Sequence, residues 1–148
     1  MRGIWFYGLA GSGKSFASKL IASKKKRGFV VDGDDVRRLI NTELGYSVAD
    51  RKVQTTKLLG IAELCLLNGF YPIVSSVTMN LDLSERCKIL DIEVVKIVRP
   101  LSQLKAVRKI YSTEKEVVGV DIDLHELGLP EIQNDGTHTF EKAVLRYV

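Results

Sequence analysis

Residues 8–15 read Gly8-Leu9-Ala10-Gly11-Ser12-Gly13-Lys14-Ser15 and match G-x-x-x-x-G-K-[ST] without a gap. Each residue type has a task in holding an anion. The glycines let backbone N–H groups turn inward and approach phosphate oxygens closely. A helix that begins at Lys14 and Ser15 points its positive end at the same charge. Lys14 is placed to reach the β- and γ-phosphates of a nucleotide, and the Ser15 hydroxyl to ligate magnesium. The cofactors implied are ATP and Mg2+, with all eight residues as nucleotide-binding candidates. The competing reading is a glycine-rich turn with an incidental lysine. It is weakened by context, because an apolar run, Ile4-Trp5-Phe6-Tyr7, precedes the loop and a helical pattern follows it.

A second group able to do chemistry is Val31-Asp32-Gly33-Asp34-Asp35-Val36-Arg37. In an extended segment alternate side chains share a face, so Asp32 and Asp34 are expected to point the same way. They leave the carboxyl end of a strand, where open α/β sheets bind ligands. Phosphoryl transfer to an alcohol needs a group that orients the hydroxyl and accepts its proton. It also needs oxygens that organise magnesium. Asp32 and Asp34 could divide that work between them. The structural alternative is a helix start at which Asp34 or Asp35 caps the backbone N–H groups that follow.

The elements that must position these groups are legible as alternating periods. Short runs rich in β-branched or aromatic residues, Ile4–Tyr7, Phe29–Val31, Tyr71–Val74 and Val94–Val98, read as buried strands, with a weaker fifth near Glu131–Gln133. Helical spacing covers Ser15–Lys25, Asp50–Asn68, Leu83–Leu90, Leu101–Tyr111 and Phe140–Tyr147, and Asn68-Gly69 is a helix stop. Strands alternating with helices imply a parallel sheet covered on both faces. The expected fold is α/β, a P-loop NTPase three-layer sandwich with about five strands, forming one domain over residues 1–148. Residues 112–128 lack a clear period, and a segment of about 108–128 is the natural candidate for a lid.

Composition bounds the rest. The 148 residues are 45% hydrophobic and 27% charged, enough for a proper core in a soluble protein. No apolar run approaches the roughly 18 residues that span a bilayer, and residues 1–8 are too short and glycine-interrupted for a signal peptide. A cytoplasmic protein without a membrane partner is expected. The net charge of +4 includes the run Lys24-Lys25-Lys26-Arg27. At the end of a helix such a run complements the dipole, a better account than nucleic-acid binding. Cys65 and Cys87 lack metal or redox spacing and read as buried thiols. His125 and His138 are expected in polar loops, with no metal cluster around them.

Three motifs in order resemble the adenylylsulfate kinase family. The loop is close to its G-L-S-G-S-G-K-[ST], Asp32-Gly33-Asp34-Asp35-Val36-Arg37 to its D-G-D-N-[VI]-R, and Leu44-Gly45-Tyr46-Ser47 followed by Ala49-Asp50-Arg51 to its L-G-F-S-x-x-D-R. The resemblance implies transfer of the γ-phosphoryl group of ATP to the 3′-hydroxyl of a small nucleotide acceptor, adenylylsulfate. It implies Asp34 on that hydroxyl and Asp32 near metal and phosphates. Arg37 and Arg51 would bind anionic groups and Tyr46 would stack on the base. The structural alternatives are surface salt bridges for the arginines and a packing aromatic for Tyr46. Gln54 and Ser76 occupy further acceptor-side positions, and Arg108 a nucleotide-side one. The same resemblance suggests a homodimer.

The departures concentrate on the acceptor side. Where the family has N-E-N-I-R-R, this chain has Lys52-Val53-Gln54-Thr55-Thr56-Lys57, and S-F-I-S-P-[YF]-R becomes Ser76-Val77-Thr78-Met79-Asn80-Leu81. The lid motif D-P-K-G-L-Y-K-K-A is missing. Relatives in bacterial capsule pathways phosphorylate cytidine diphosphoramidate, which keeps that acceptor as an alternative. A catalytically degenerate nucleotide-binding module is a second alternative. A GTPase-like switch would need N-K-x-D, which the sequence lacks.

Overall fold

The computed structural model describes residues 1–107 and 126–148, apart from the side chains of residues 105–107. In chain order the elements are β1 (Gly3–Tyr7), α1 (Lys14–Lys24), β2 (Gly28–Asp32), α2 (Gly33–Leu39), α3 (Val48–Leu67), β3 (Tyr71–Ser76), α4 (Leu81–Ile89), β4 (Ile92–Val98), α5 (Leu101–Val107), β5 (Glu131–Gln133) and α6 (His138–Leu145). The five strands pair in parallel in the order β2-β3-β1-β4-β5. The weakly indicated fifth strand is real, with Ile97 opposite Ile132.

Alternation along β1 divides the core. Trp5 and Tyr7 face α3 and α4 with Leu58, Leu59, Ala62, Val74 and Cys87, while Ile4 and Phe6 face α1 and α6 with Ile21, Ile73, Phe140 and Val144. The sheet is therefore the middle of three layers, as the sequence implies. Cys65 and Cys87 are buried free thiols. Among the described residues no helix is long and apolar enough to cross a membrane.

Three helices begin two residues before the spans the sequence predicts: α3 at Val48, α4 at Leu81 and α6 at His138. In each case a polar side chain sets the start. Ser47, Asn80 and Thr137 accept N–H bonds from Asp50, Leu83 and Thr139. His138 is accordingly the first residue of a helix, not part of a loop. At the far end of α3, Gly69 (φ 71°) closes a Schellman motif, with Phe70 N–H on the Cys65 carbonyl and Gly69 N–H on that of Leu66. The basic run is absorbed locally. Lys24 lies in the last turn of α1, the Lys25 ammonium sits over the Tyr71 ring, and Arg27 sits over Phe70 and donates to the Asn68 carbonyl.

Candidate active site

β1 runs into the phosphate loop at the carboxyl edge of the sheet. Gly8 passes so close to β4 that a Cβ there would lie 2.3 Å from the Ile97 carbonyl oxygen. Gly13 caps α1 in the left-handed region (φ 112°), with no side chain capping the first turn. The helix thus presents backbone N–H groups to the loop interior. The Lys14 ammonium donates to the carbonyls of Gly8 and Leu9, 2.9 Å each, and so lies over the mouth of that cradle.

Asp32 ends β2, and its carboxylate works in two directions. Oδ1 accepts the Asp34 N–H at 2.9 Å and Oδ2 accepts the Ser15 hydroxyl at 3.1 Å. The capping residue of α2 is therefore Asp32, not Asp34 or Asp35. The expected extended Asp32–Asp34 segment is also corrected, since α2 begins at Gly33. Strand and helix meet at this point because Gly33 packs where a Cβ would lie 2.8 Å from the Ser75 carbonyl oxygen. Asp32 and Asp34 nevertheless line the same cavity, of about 250 Å3, together with Gly11, Gly13, Lys14 and Ser15.

Adjacent oxygens on an octahedral magnesium bound at about 2.1 Å lie about 3.0 Å apart. The 3.1 Å between Ser15 Oγ and Asp32 Oδ2 fits such a pair. Among the described residues there is no group of three or more His, Cys, Asp or Glu suited to a metal. An ion held here would need further ligands from outside the protein.

The opposite wall holds the remaining candidates. Arg37, on α2, donates to the carbonyls of Leu44 (3.3 Å) and Gly45 (2.6 Å) and lies 4.4 Å from the Tyr46 ring centroid. Arg51, on α3, donates to the Tyr46 carbonyl at 3.0 Å and lies 5.4 Å from the same ring. Tyr46 is 54% exposed, so it is not a core packing residue. Arg37 makes no ion pair among the described residues.

Gln54 and Ser76 line the cavity, but much of their polarity is engaged. Gln54 Nε2 donates to the Gly33 carbonyl (2.8 Å), and its Oε1 accepts from the buried Asn41 (2.6 Å), whose own oxygen takes a bond from Lys57 (2.9 Å). The Ser76 hydroxyl accepts from the Trp5 indole N–H (2.8 Å) and donates to the Thr78 carbonyl (2.7 Å). Arg108, and the expected lid up to residue 125, lie outside the described residues. Just after them, Glu126 pairs with Lys96 of β4 at 2.8 Å, and Glu131 with the same ammonium at 3.3 Å. Burial lowers the Lys96 pKa, but the bonds to the two carboxylates outweigh it and the net direction is up.

Sequence reasoning missed Asn134 and Arg99. Asn134 donates to the Ser12 carbonyl at 2.6 Å, and Arg99 approaches the Gly11 carbonyl at 3.4 Å. Arg99 follows the carboxyl end of β4, which flanks β1, and Asn134 that of β5, one strand farther out; strand-end position was the available signal.

The adenylylsulphate kinase family model matches residues 2–99. An adenylyl-sulfate kinase of Bacteroides thetaiotaomicron is 38% identical over 86 residues, 55% of this chain and 43% of that protein. One from Pseudomonas aeruginosa is 38% identical over 79 residues, 51% of this chain and 40% of that protein. The chain thus spans about two fifths of the length of these curated relatives. Among solved structures, the Mycobacterium tuberculosis APS kinase in complex with AMPPNP and APS superposes with a TM-score of 0.85 at 23% identity, over 99% of this chain and 95% of that one. A gluconokinase from Sinorhizobium meliloti shares the fold more loosely, with a TM-score of 0.62 at 16% identity over 98% and 92% of the two chains. The structural likenesses establish the P-loop kinase fold. The family match, which takes in the loop, both aspartates and the Arg37–Tyr46–Arg51 cluster, places this chain in the adenylylsulphate kinase family.

Proposed function

We propose that this chain is an ATP- and magnesium-dependent kinase that moves the γ-phosphoryl group of ATP onto the ribose 3′-hydroxyl of a small nucleotide, adenylylsulfate being the foremost acceptor. The observation that carries this reading is a single cavity lined at once by the anion cradle, by Asp32 and Asp34, and by Arg37, Tyr46 and Arg51. Family membership supports it.

In this reading the N–H groups of residues 11–15 and the Lys14 ammonium hold the triphosphate. Ser15 and Asp32 would hold magnesium, which would supply charge neutralisation for the phosphates. The Asp34 carboxylate accepts a hydrogen bond from the acceptor hydroxyl, orients it in line with the γ-phosphorus and takes its proton as the bond forms. Tyr46 stacks on the acceptor base, and Arg37 and Arg51 fix both the Tyr46 loop and the acceptor's anionic groups. Gln54 holds the Gly33 carbonyl, hence the turn that carries Asp34. Arg108 supplies a further cation on the nucleotide side. Positioning and charge neutralisation account for most of the rate enhancement, because the transition state is loose. A cytoplasmic location and self-association as a homodimer belong to the same reading, and fractionation and sedimentation measure them.

The test is transfer from γ-labelled ATP to adenylylsulfate and to cytidine diphosphoramidate, side by side. Label on adenylylsulfate is the expected outcome. Label on cytidine diphosphoramidate alone reassigns the acceptor. Tight binding of magnesium and ATP with no label on either makes the chain a nucleotide-binding module without these kinase activities.

A further inference from the structure

The phosphate loop is held from outside by a residue far along the chain and beyond the span that the family model matches. Asn134 follows β5, its backbone N–H donating to the Val98 carbonyl at 2.8 Å. Its side chain is engaged at both ends. Oδ1 accepts the Gly136 N–H at 2.9 Å, which fixes the amide orientation and turns Nδ2 toward the loop. Nδ2 then donates to the Ser12 carbonyl at 2.6 Å in a buried bond. The approach is close enough that a Cβ on Gly13 would lie 2.5 Å from Asn134 Nδ2 and 3.2 Å from the Phe140 ring.

The consequence follows from peptide geometry. The Ser12–Gly13 peptide is trans, as are all the described bonds, so its C=O and N–H point in opposite directions. Holding the Ser12 oxygen outward, toward Asn134, aims the Gly13 N–H inward, where Gly11, Gly13 and Lys14 line the cavity. A cradle is effective to the extent that its donors are aimed before the anion arrives. We propose that Asn134 is a positioning residue for nucleotide binding: it orients the Ser12–Gly13 peptide so that the Gly13 N–H donates to a phosphate oxygen. The residues after position 130 then complete the phosphate site as well as the sheet edge. This inference rests on reading the loop as a triphosphate cradle.

Two variants and one resonance test it, with the magnesium complex of AMPPNP as probe. Asn134→Ala removes the donor. Asn134→Asp keeps the size and the oxygen that accepts from Gly136, but sets an acceptor against the Ser12 carbonyl. Calorimetry is expected to show at least about a tenfold rise in Kd for each, the cost of losing one charge-assisted hydrogen bond. In the unaltered chain the Gly13 amide proton is expected to move downfield on adding the probe, as a new N–H···phosphate bond forms, and in the folded variants that shift shrinks. Unchanged Kd and an unchanged Gly13 shift in a folded variant overturn the inference while leaving the cradle intact. So does a Gly13 resonance that stays put in the unaltered chain while that of Lys14 moves. No binding by the unaltered chain removes both the cradle reading and this inference. The Gly13 shift in the unaltered chain decides the matter if neither variant folds.

Discussion

Lys14 and Asp34 line the same cavity, and their substitutions are expected to separate binding from transfer. The Lys14 ammonium lies 2.9 Å from two loop carbonyls, a position from which it would reach phosphates held in the loop. Lys14→Ala is expected to lower phosphoryl transfer by about two to three orders of magnitude, measured by ADP release, because a preorganised charge is removed from the transferring group. Asp34 has its backbone N–H in the Asp32 cap and its side chain at the cavity. Asp34→Asn is therefore expected to lower turnover by roughly two to four orders of magnitude while calorimetric affinity for nucleotide stays within about twofold. A variant that keeps near-normal turnover removes Asp34 from the acceptor side. Tyr46 is exposed at the far wall, with two guanidinium groups near its ring. Tyr46→Ala is expected to raise the acceptor KM about tenfold, the worth of one base stack, with the ATP KM unmoved in steady-state kinetics.

The elements carry a different kind of information, because their ends are set by polar caps. Asn80 and Thr137 start helices two residues ahead of the first buried side chain, Leu83 and Phe140, and Ser47 starts α3 at Val48, well ahead of its first buried side chain, Gln54. The cause is local: a cap satisfies backbone N–H groups before any side chain is buried. At the other end of α3, Gly69 holds φ at 71°, at the edge of the sheet remote from the carboxyl ends that bear the site. Gly69→Ala is expected to cost about 1 kcal/mol in urea unfolding, since the left-handed conformation is disfavoured once a Cβ is present. Transfer kinetics should not change. The space itself is not limiting, because the nearest atom to the added carbon would be 3.5 Å away.

For the molecule as a whole, the buried protonated groups define the alkaline limit of stability. Burial pushes the Cys87 thiol from 9.0 to about 12 and the Tyr71 phenol from 10.0 to about 12. Cys65 and Tyr7 move in the same direction, chiefly by burial. Lys96, held by Glu126 and Glu131, also moves up. In every case the folded chain keeps a proton that the unfolded chain releases first. Stability is therefore full below about pH 9 and declines as pH rises toward 12. Thermal unfolding between pH 8 and 11 measures this, and a flat Tm over that range contradicts it. Cys87→Ala is expected to lower Tm at pH 8, through the space left in the core, and to flatten the decline above pH 9.

The phosphate loop, the two aspartates and the Leu44–Arg51 segment were legible along the chain, because each is a contiguous motif whose chemistry needs those residue types at fixed spacing. Four strands and the layer scheme were legible too, since burial on two faces imposes apolar runs between amphipathic helices. The short α2 was legible only as a structural alternative: it is seven residues long and Val36 is its one buried side chain, too little for a period. The shared cavity of Asp32 and Asp34 was expected on the wrong backbone, an extended segment where the chain turns into a helix at Gly33. The contacts between distant segments emerge only in the folded chain. The commitment of Gln54 to Gly33, of Ser76 to Trp5 and of Asn134 to Ser12 joins residues up to 122 positions apart. Such bonds depend on strand order and on which face each side chain takes, and local periodicity does not encode the pairing of one strand's end with another's loop.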